Sequence, residues 1–379
     1  MDPIVPDGQD DAVRTDGGLL WICSYSRADG PGPDPGQLSV WERSGSDGCR
    51  RLAALDLFPS PSYGEFSADG TLLYLVGEGL PGTVVTVDTA ALLAGAGQAA
   101  VLDSRGSGGD EACQLSLSPS GRRLAVANYC SAATPTAGGV VSVFTLTDRG
   151  VPDGPAKRLE LSGSGPDPDR QPGPHAHQVT WITEDDLLVV DLGDDSLVAV
   201  TVGPDGQPTV TGRAAVVPGS GPRHLAQVPA TGSVPTGIVL DEELSGQVSW
   251  WEPDEHGLLV QRARIPVMAQ VPDGRACDPS GIKLSADHRL AYVAVRGVDV
   301  VSTVAIDPAG VEPLRLLGTT PTGGAWPRDL LVDDDTVWVA NQGSSTVTGL
   351  AIDPATGIPG DVHTTLDVPF PTWLARRQL

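Results

Sequence analysis

Residues 171–181 read Gln-Pro-Gly-Pro-His-Ala-His-Gln-Val-Thr-Trp and place His175 and His177, two of six histidines, one residue apart. Once a strand has begun, side chains two apart share a face. Such a pair suits a metal site completed by His224, Asp191 or Glu243, a turn with no chemical role, or a base with its support. No ligand cluster of recognised zinc spacing accompanies it, so a base or substrate-binding role is expected, with no metal and no cofactor. His177 is the stronger of the two, because it stands where comparable segments carry Gln114 and His224.

Arginines supply the second half of the chemistry. Arg223 in Ser-Gly-Pro-Arg-His-Leu and Arg328 in Ala-Trp-Pro-Arg-Asp-Leu hold equivalent places, and Arg296 lies in Ala-Val-Arg-Gly. A guanidinium offers five donors in a rigid fork, so several converging forks suit a carboxylate, a phosphate or a developing oxyanion. The competing reading pairs them with Asp191, Glu243 or Asp329 as structural pins. Glu78 and Glu243 close apolar runs where Asn128 and Asn341 close others, and either glutamate, if poorly solvated, could move a proton. Gln114, Tyr129 and Trp326, the last beside Arg328, complete the polar set. No G-x-S-x-G elbow, P-loop or dinucleotide fingerprint occurs, which argues against serine hydrolases and nucleotide enzymes.

These residues sit on a repeated element. Residues 113–129, Cys-Gln-Leu-Ser-Leu-Ser-Pro-Ser-Gly-Arg-Arg-Leu-Ala-Val-Ala-Asn-Tyr, read as strand, turn, strand and polar end. Segments 63–78, 177–193, 281–297 and 328–343 follow the same plan, 223–244 does so with a longer turn, and 19–26 keeps only the second strand. The polar ends fall at Ser24 or Tyr25, Glu78, Asn128, Asp191, Glu243, Arg296 and Asn341, about 50 residues apart, with one interval stretched to 63 by an insertion ahead of His175. Third strands are read at 138–146, 195–202 and 345–352, and fourth strands at 214–218 and near 314–318. The pattern predicts an all-β, seven-bladed β-propeller of four-stranded antiparallel blades, its ring closed by the N- and C-terminal strands. The boundaries are expected to be a flexible segment at 1–16 and one propeller domain at 17–379. Polar strand ends then meet at one mouth of the central channel, the usual place for a ligand.

Composition agrees. The 47 glycines and 34 prolines, about a fifth of the 379 residues, separate short apolar runs and read as turn residues. With 24 basic against 48 acidic residues spread along the chain, a nucleic-acid groove or an anionic membrane is an unsuitable partner. Five scattered cysteines without a C-x-x-C pair suit reduced thiols in the cytoplasm, and residues 1–20 lack the basic start and apolar core of a signal peptide. Trp181, Trp250, Trp251 and Trp338 are expected to pack between blades. Oligomeric state is left open.

The ordered set Val-Ala-Asn-Tyr (126–129), His-Ala-His-Gln-Val (175–179), Val-Val-Asp-Leu-Gly (189–193), Gly-Pro-Arg-His-Leu (221–225), Glu-Leu (243–244), Val-Arg-Gly (295–297), Trp-Pro-Arg (326–328) and Val-Ala-Asn-Gln (339–342) resembles the seven-bladed propeller lactonase family. That family includes bacterial 6-phosphogluconolactonases and fungal 3-carboxy-cis,cis-muconate lactonizing enzymes. The resemblance implies a small anionic or lactone substrate and active-site residues His177, Arg223, Glu243 and Arg296. It leaves open hydrolysis or formation of the lactone, an isomerase or cyclase acting on an unsaturated acid, and a noncatalytic binding or scaffolding propeller. Three departures are expected to alter the mouth: Gln114 in place of a histidine, Val295 in place of an asparagine, and Glu-Glu-Leu in place of Asn-Glu-Leu at 242–244. Loops 28–37 and 163–174 are expected to add substrate contacts.

Overall fold

A computed structural model describes residues 18–27, 34–44, 48–130, 138–230 and 237–377. The segment 1–16 and most of loop 28–37 lie outside them. Seven four-stranded antiparallel sheets form a ring. In the first blade Pro371–Arg377 is the innermost strand and pairs with Leu19–Ser24, followed by Pro35–Ser44 and Gly48–Pro59. The C-terminal strand therefore closes the ring on the N-terminal one, as the missing inner strand of the first repeat predicts. Blades two to seven then follow in chain order at 61–106, 110–160, 176–215, 222–266, 278–321 and 327–367.

Alternation along the strands makes this arrangement cohere. Each blade is apolar on both faces, and seven apolar clusters each join two adjacent blades. Trp181, Trp250, Trp251 and Trp338 are buried in these interfaces as expected. The outermost strand of the fourth blade runs Pro208–Ala215, earlier than the expected 214–218. Its side chains are mostly exposed, so an edge strand of this kind carries no apolar run by which to place it. Among the described residues no helix is long and apolar enough to cross a membrane.

Two features of register decide what faces the channel. First, every innermost strand carries a bulge near its start, at Ser62, Cys113, His177, Arg223–His224, Ser280, Arg328 and Thr372. A bulge leaves a residue unpaired and re-aims its side chain. His177 is thus equivalent to Cys113, Arg223 and Arg328, and it is Gln178 that matches Gln114. The expected alignment of His177 with Gln114 and His224 was one residue out.

Second, the polar ends of the second strands fall at two adjacent positions. Gly77, Asn128, Asp191, Glu242, Val295 and Asn341 pair with the inner strand just before its bulge. Glu78, Tyr129, Leu192, Glu243, Arg296 and Gln342 come one residue later. With a side-chain period of two, a step of one residue turns the side chain to the other face. The earlier set points into the blade, and Glu78, Tyr129, Glu243 and Arg296 of the later set reach the mouth.

Candidate active site at the channel mouth

Glu243 is the centre of the site. Its Oε2 lies 3.0 Å from Arg223 Nε and 2.7 Å from Arg296 Nη2, and its Oε1 takes an ion pair from Arg170 Nη2. Both nitrogens are buried and meet Glu243 as ion pairs without hydrogen-bond alignment. Burial pushes the Glu243 carboxyl up, but Arg296, Arg223 and Arg170 together override it and hold the group well below the usual carboxylate range. Arg223 is anchored from behind by donating through Nη1 to the Ser280 carbonyl, and burial followed by the Arg296 charge depresses its own pKa.

The histidines stand beside this cluster. His177 lies edge-on to His224 at 5.0 Å between ring centroids and edge-on to Tyr129 at 5.9 Å. Its buried Nδ1 has no hydrogen-bond partner. Burial, reinforced by Arg223, drives its pKa well below 6.5, and burial with Arg223 and His177 does the same to His224. Both rings are therefore neutral at neutral pH. A His177 able to serve in either protonation state, as its reference pKa suggests, is not what this setting provides.

His175 stacks on Tyr129 at 4.0 Å, with its Nδ1 2.9 Å from the Tyr129 carbonyl oxygen. Its backbone is fixed by Asp191, whose Oδ1 accepts the N–H groups of His175, Gly193 and Asp194. Gly193 is required here, because a Cβ at that position would lie 2.0 Å from the Gly173 carbonyl oxygen and 2.7 Å from the His175 ring.

A second cluster lies across the channel. Arg328 Nη2 donates to both oxygens of Glu78 at 2.7 and 3.0 Å, Tyr25 donates its hydroxyl to Glu78 at 2.5 Å, and the Arg328 guanidinium sits 4.9 Å from the centre of the Tyr25 ring. A small pocket of about 10 Å³ lies between Arg223 and this second cluster, lined by residues that include Glu78, Cys113, Arg223, His224, Arg328 and Asp329. Larger clefts of about 490 Å³ each open at the periphery between blades two and three, away from every residue named above. Trp326, 39% exposed, borders the mouth with its ring 5.5 Å from the Arg296 guanidinium.

The structure thus brings together His177, His175, Arg223, His224, Glu243, Arg296, Tyr129 and Trp326, with Glu78 and Arg328 opposite. Four expected substrate contacts are committed elsewhere. Asn128 accepts from Ser107 and donates to the Val140 carbonyl and Ser142 inside its blade. Asn341 donates to Thr348 inside another, and Asp191 holds the turn just described. Gln114 accepts from the Val179 N–H of the next blade and donates to the Leu115 carbonyl. The departures at Gln114, Val295 and Glu242 consequently lie outside the mouth: Val295 is in an interblade cluster, and the fully buried Glu242 pairs with Arg264 at 2.7 Å. The charge at the mouth is untouched by them.

Sequence reasoning missed Arg170 and named Tyr25 only as an alternative to Ser24 at a polar strand end. Arg170 belongs to the insertion that stretches one repeat interval, and that added length was the available signal. Among the described residues no group of three histidine, cysteine or carboxylate side chains is arranged to hold a metal ion.

Comparison with known proteins agrees with the fold. The 6-phosphogluconolactonase of Bacillus subtilis is 29% identical over 268 residues, covering 69% of this chain and 72% of the relative. The 6-phosphogluconolactonase of Formosa agariphila is 28% identical over 81% of this chain and 85% of its own. The structure of the periplasmic gluconolactonase PpgL of Pseudomonas aeruginosa superposes with a TM-score of 0.80 at 26% identity, covering 95% of this chain and 99% of that one. A family model described as lactonase, 7-bladed β-propeller, matches residues 19–375, and the chain belongs to that family.

Proposed function

We propose that the protein is a lactonase that hydrolyses the lactone of a small anionic sugar acid, a 6-phosphogluconolactone among the candidates, at this mouth. One observation carries the reading: the unpartnered Nδ1 of the neutral His177 lies beside a cluster in which Arg223 and Arg296 converge on one point. A buried proton acceptor next to preorganised cationic donors is what addition of water to an ester carbonyl requires.

In this scheme His177 takes a proton as a water oxygen bonds to the lactone carbonyl carbon. Arg223 and Arg296 oppose the charge on the resulting oxyanion. The intermediate collapses by breaking the ring C–O bond, and the His177 imidazolium returns its proton to the departing alkoxide, so the products are a hydroxyl and a carboxylic acid. Glu243 is too weak a base to compete for the water proton. It acts as a positioning residue that holds three guanidinium groups at one point.

The lactonizing direction would require an acid able to protonate an alkene carbon. His177 and His224 are neutral and Glu243 is ionised, which favours hydrolysis. The five cysteines are free thiols, which supports a reducing, cytoplasmic setting. Incubation with a panel of lactones and unsaturated acids, with and without chelator, tests the proposal. Ring opening of a sugar lactone is expected; isomerisation alone supports a cyclase, and binding without turnover supports a noncatalytic propeller.

A further inference from the structure

Arg170 differs from the other guanidinium groups of the mouth. Arg223 and Arg296 rise from the strands of the ring, with side chains 4% and 10% exposed, whereas Arg170 reaches Glu243 from the insertion and is 43% exposed. Its backbone is nonetheless fixed. Asp167 Oδ1 accepts the N–H groups of Asp169 and Arg170, the Asp167 carbonyl accepts from Gln171, and the fully buried Gln171 donates to the Leu192 carbonyl. A pinned loop bearing a long, partly exposed side chain lets the guanidinium change partner while the chain stays in place.

Charge supplies a reason to change. Three guanidinium groups share one carboxylate, an excess of two positive charges within the cluster, since three less one is two. Half-buried Asp278 is near Arg296 and Arg170 and forms no ion pair with either among the described residues. If Arg170 left, Glu243 would keep both Oε2 contacts, with Arg223 and Arg296, and lose only the one on Oε1. Arg170 would be free to meet an anion arriving from solvent, and a dianion would balance the excess.

On the lactonase reading above, we propose that Arg170 exchanges Glu243 for an anionic substituent of the substrate remote from the lactone carbonyl, a phosphate or a carboxylate, and so sets the preference for charged over neutral lactones. Arg223 and Arg296 remain on the reacting carbonyl. The guanidinium fork matches either oxyanion in a bidentate manner.

The test compares kcat/KM of the full chain for 6-phosphoglucono-δ-lactone, a carboxylate-bearing lactone such as glucaro-δ-lactone, and glucono-δ-lactone, in wild type, Arg170→Met and Arg170→Lys. Arg170→Met is expected to lower the ratio for at least one charged lactone over the neutral one at least tenfold, through KM, with partial recovery in Arg170→Lys. The charged substrate affected identifies the group that is read. A residue that merely braces Glu243 would lower all three by the same factor, and an unchanged ratio overturns the proposal. Absence of turnover by wild type on every lactone overturns the lactonase reading instead. Calorimetric titration with 6-phosphogluconate, glucarate and gluconate then reads Arg170 separately, and equal weakening of all three by Arg170→Met contradicts its role.

Discussion

Arg223 Nε stands 3.0 Å from Glu243 Oε2 although both side chains are only 4% exposed; Arg223 lies on the innermost strand of the fifth blade and Glu243 just past the end of the second. A buried ion pair is worth little against an apolar replacement, but removing one partner leaves the other charge uncompensated. Here the abandoned charges would be three. Glu243→Gln is therefore expected to reduce unfolding free energy by about 3–5 kcal/mol, read by urea denaturation, and to lower turnover by loosening the arginines. Unchanged stability would show that the cluster is adequately solvated without its carboxylate.

The depressed pKa of His177 sets the acid side of the pH profile. Burial and Arg223 keep the ring neutral as pH falls through 6.5, so the proton-accepting form persists where an ordinary histidine would be half charged. kcat/KM should stay level from about pH 8 down to about pH 6. An activity titration with an apparent pKa near 6.5 would place the base elsewhere.

Asp191 works in the opposite sense. Burial raises its pKa from 3.8 to about 7, so its contribution to stability is fully present below the unfolded value and is lost as pH rises through about 7. Asp191→Asn keeps the oxygen that accepts three backbone N–H groups and removes the titration. The stability of wild type relative to this variant should fall by roughly 2–4 kcal/mol between about pH 4 and about pH 8. A difference independent of pH in urea unfolding would contradict the assignment.

Asn128 and its neighbour Tyr129 separate blade from mouth. Asn128→Ala removes the partner of buried groups on Ser107, Val140 and Ser142 and should cost about 2–3 kcal/mol with KM unchanged. Tyr129→Phe should shift KM, because the Tyr129 side chain stands beside Arg170 and stacks on His175. The reverse pattern would undo the division into two registers.

That division also explains what could be read from the chain alone. Seven turn-centred repeats and a missing first inner strand were enough for the propeller and its closure, because apolar alternation and turn residues are local signals. The candidate site was half legible. Glu243 and Arg296 come together in the arginine cluster, but Asn128, Asp191 and Asn341 end similar strands one residue earlier, and only strand pairing reveals that such a step reverses the face. His177 was singled out although its register was misjudged, because an inner-strand bulge leaves no mark in apolar periodicity. Arg170 lay in an insertion outside the repeat, where the pattern used to find the other residues does not extend.

The most direct test of the proposed chemistry is the rate of ring opening of 6-phosphoglucono-δ-lactone and glucono-δ-lactone by His177→Ala, corrected for spontaneous hydrolysis and compared with wild type at equal folded fraction. With His177 as the base, kcat should fall at least about 100-fold with KM little changed. Retention of full turnover by the folded variant would contradict that role.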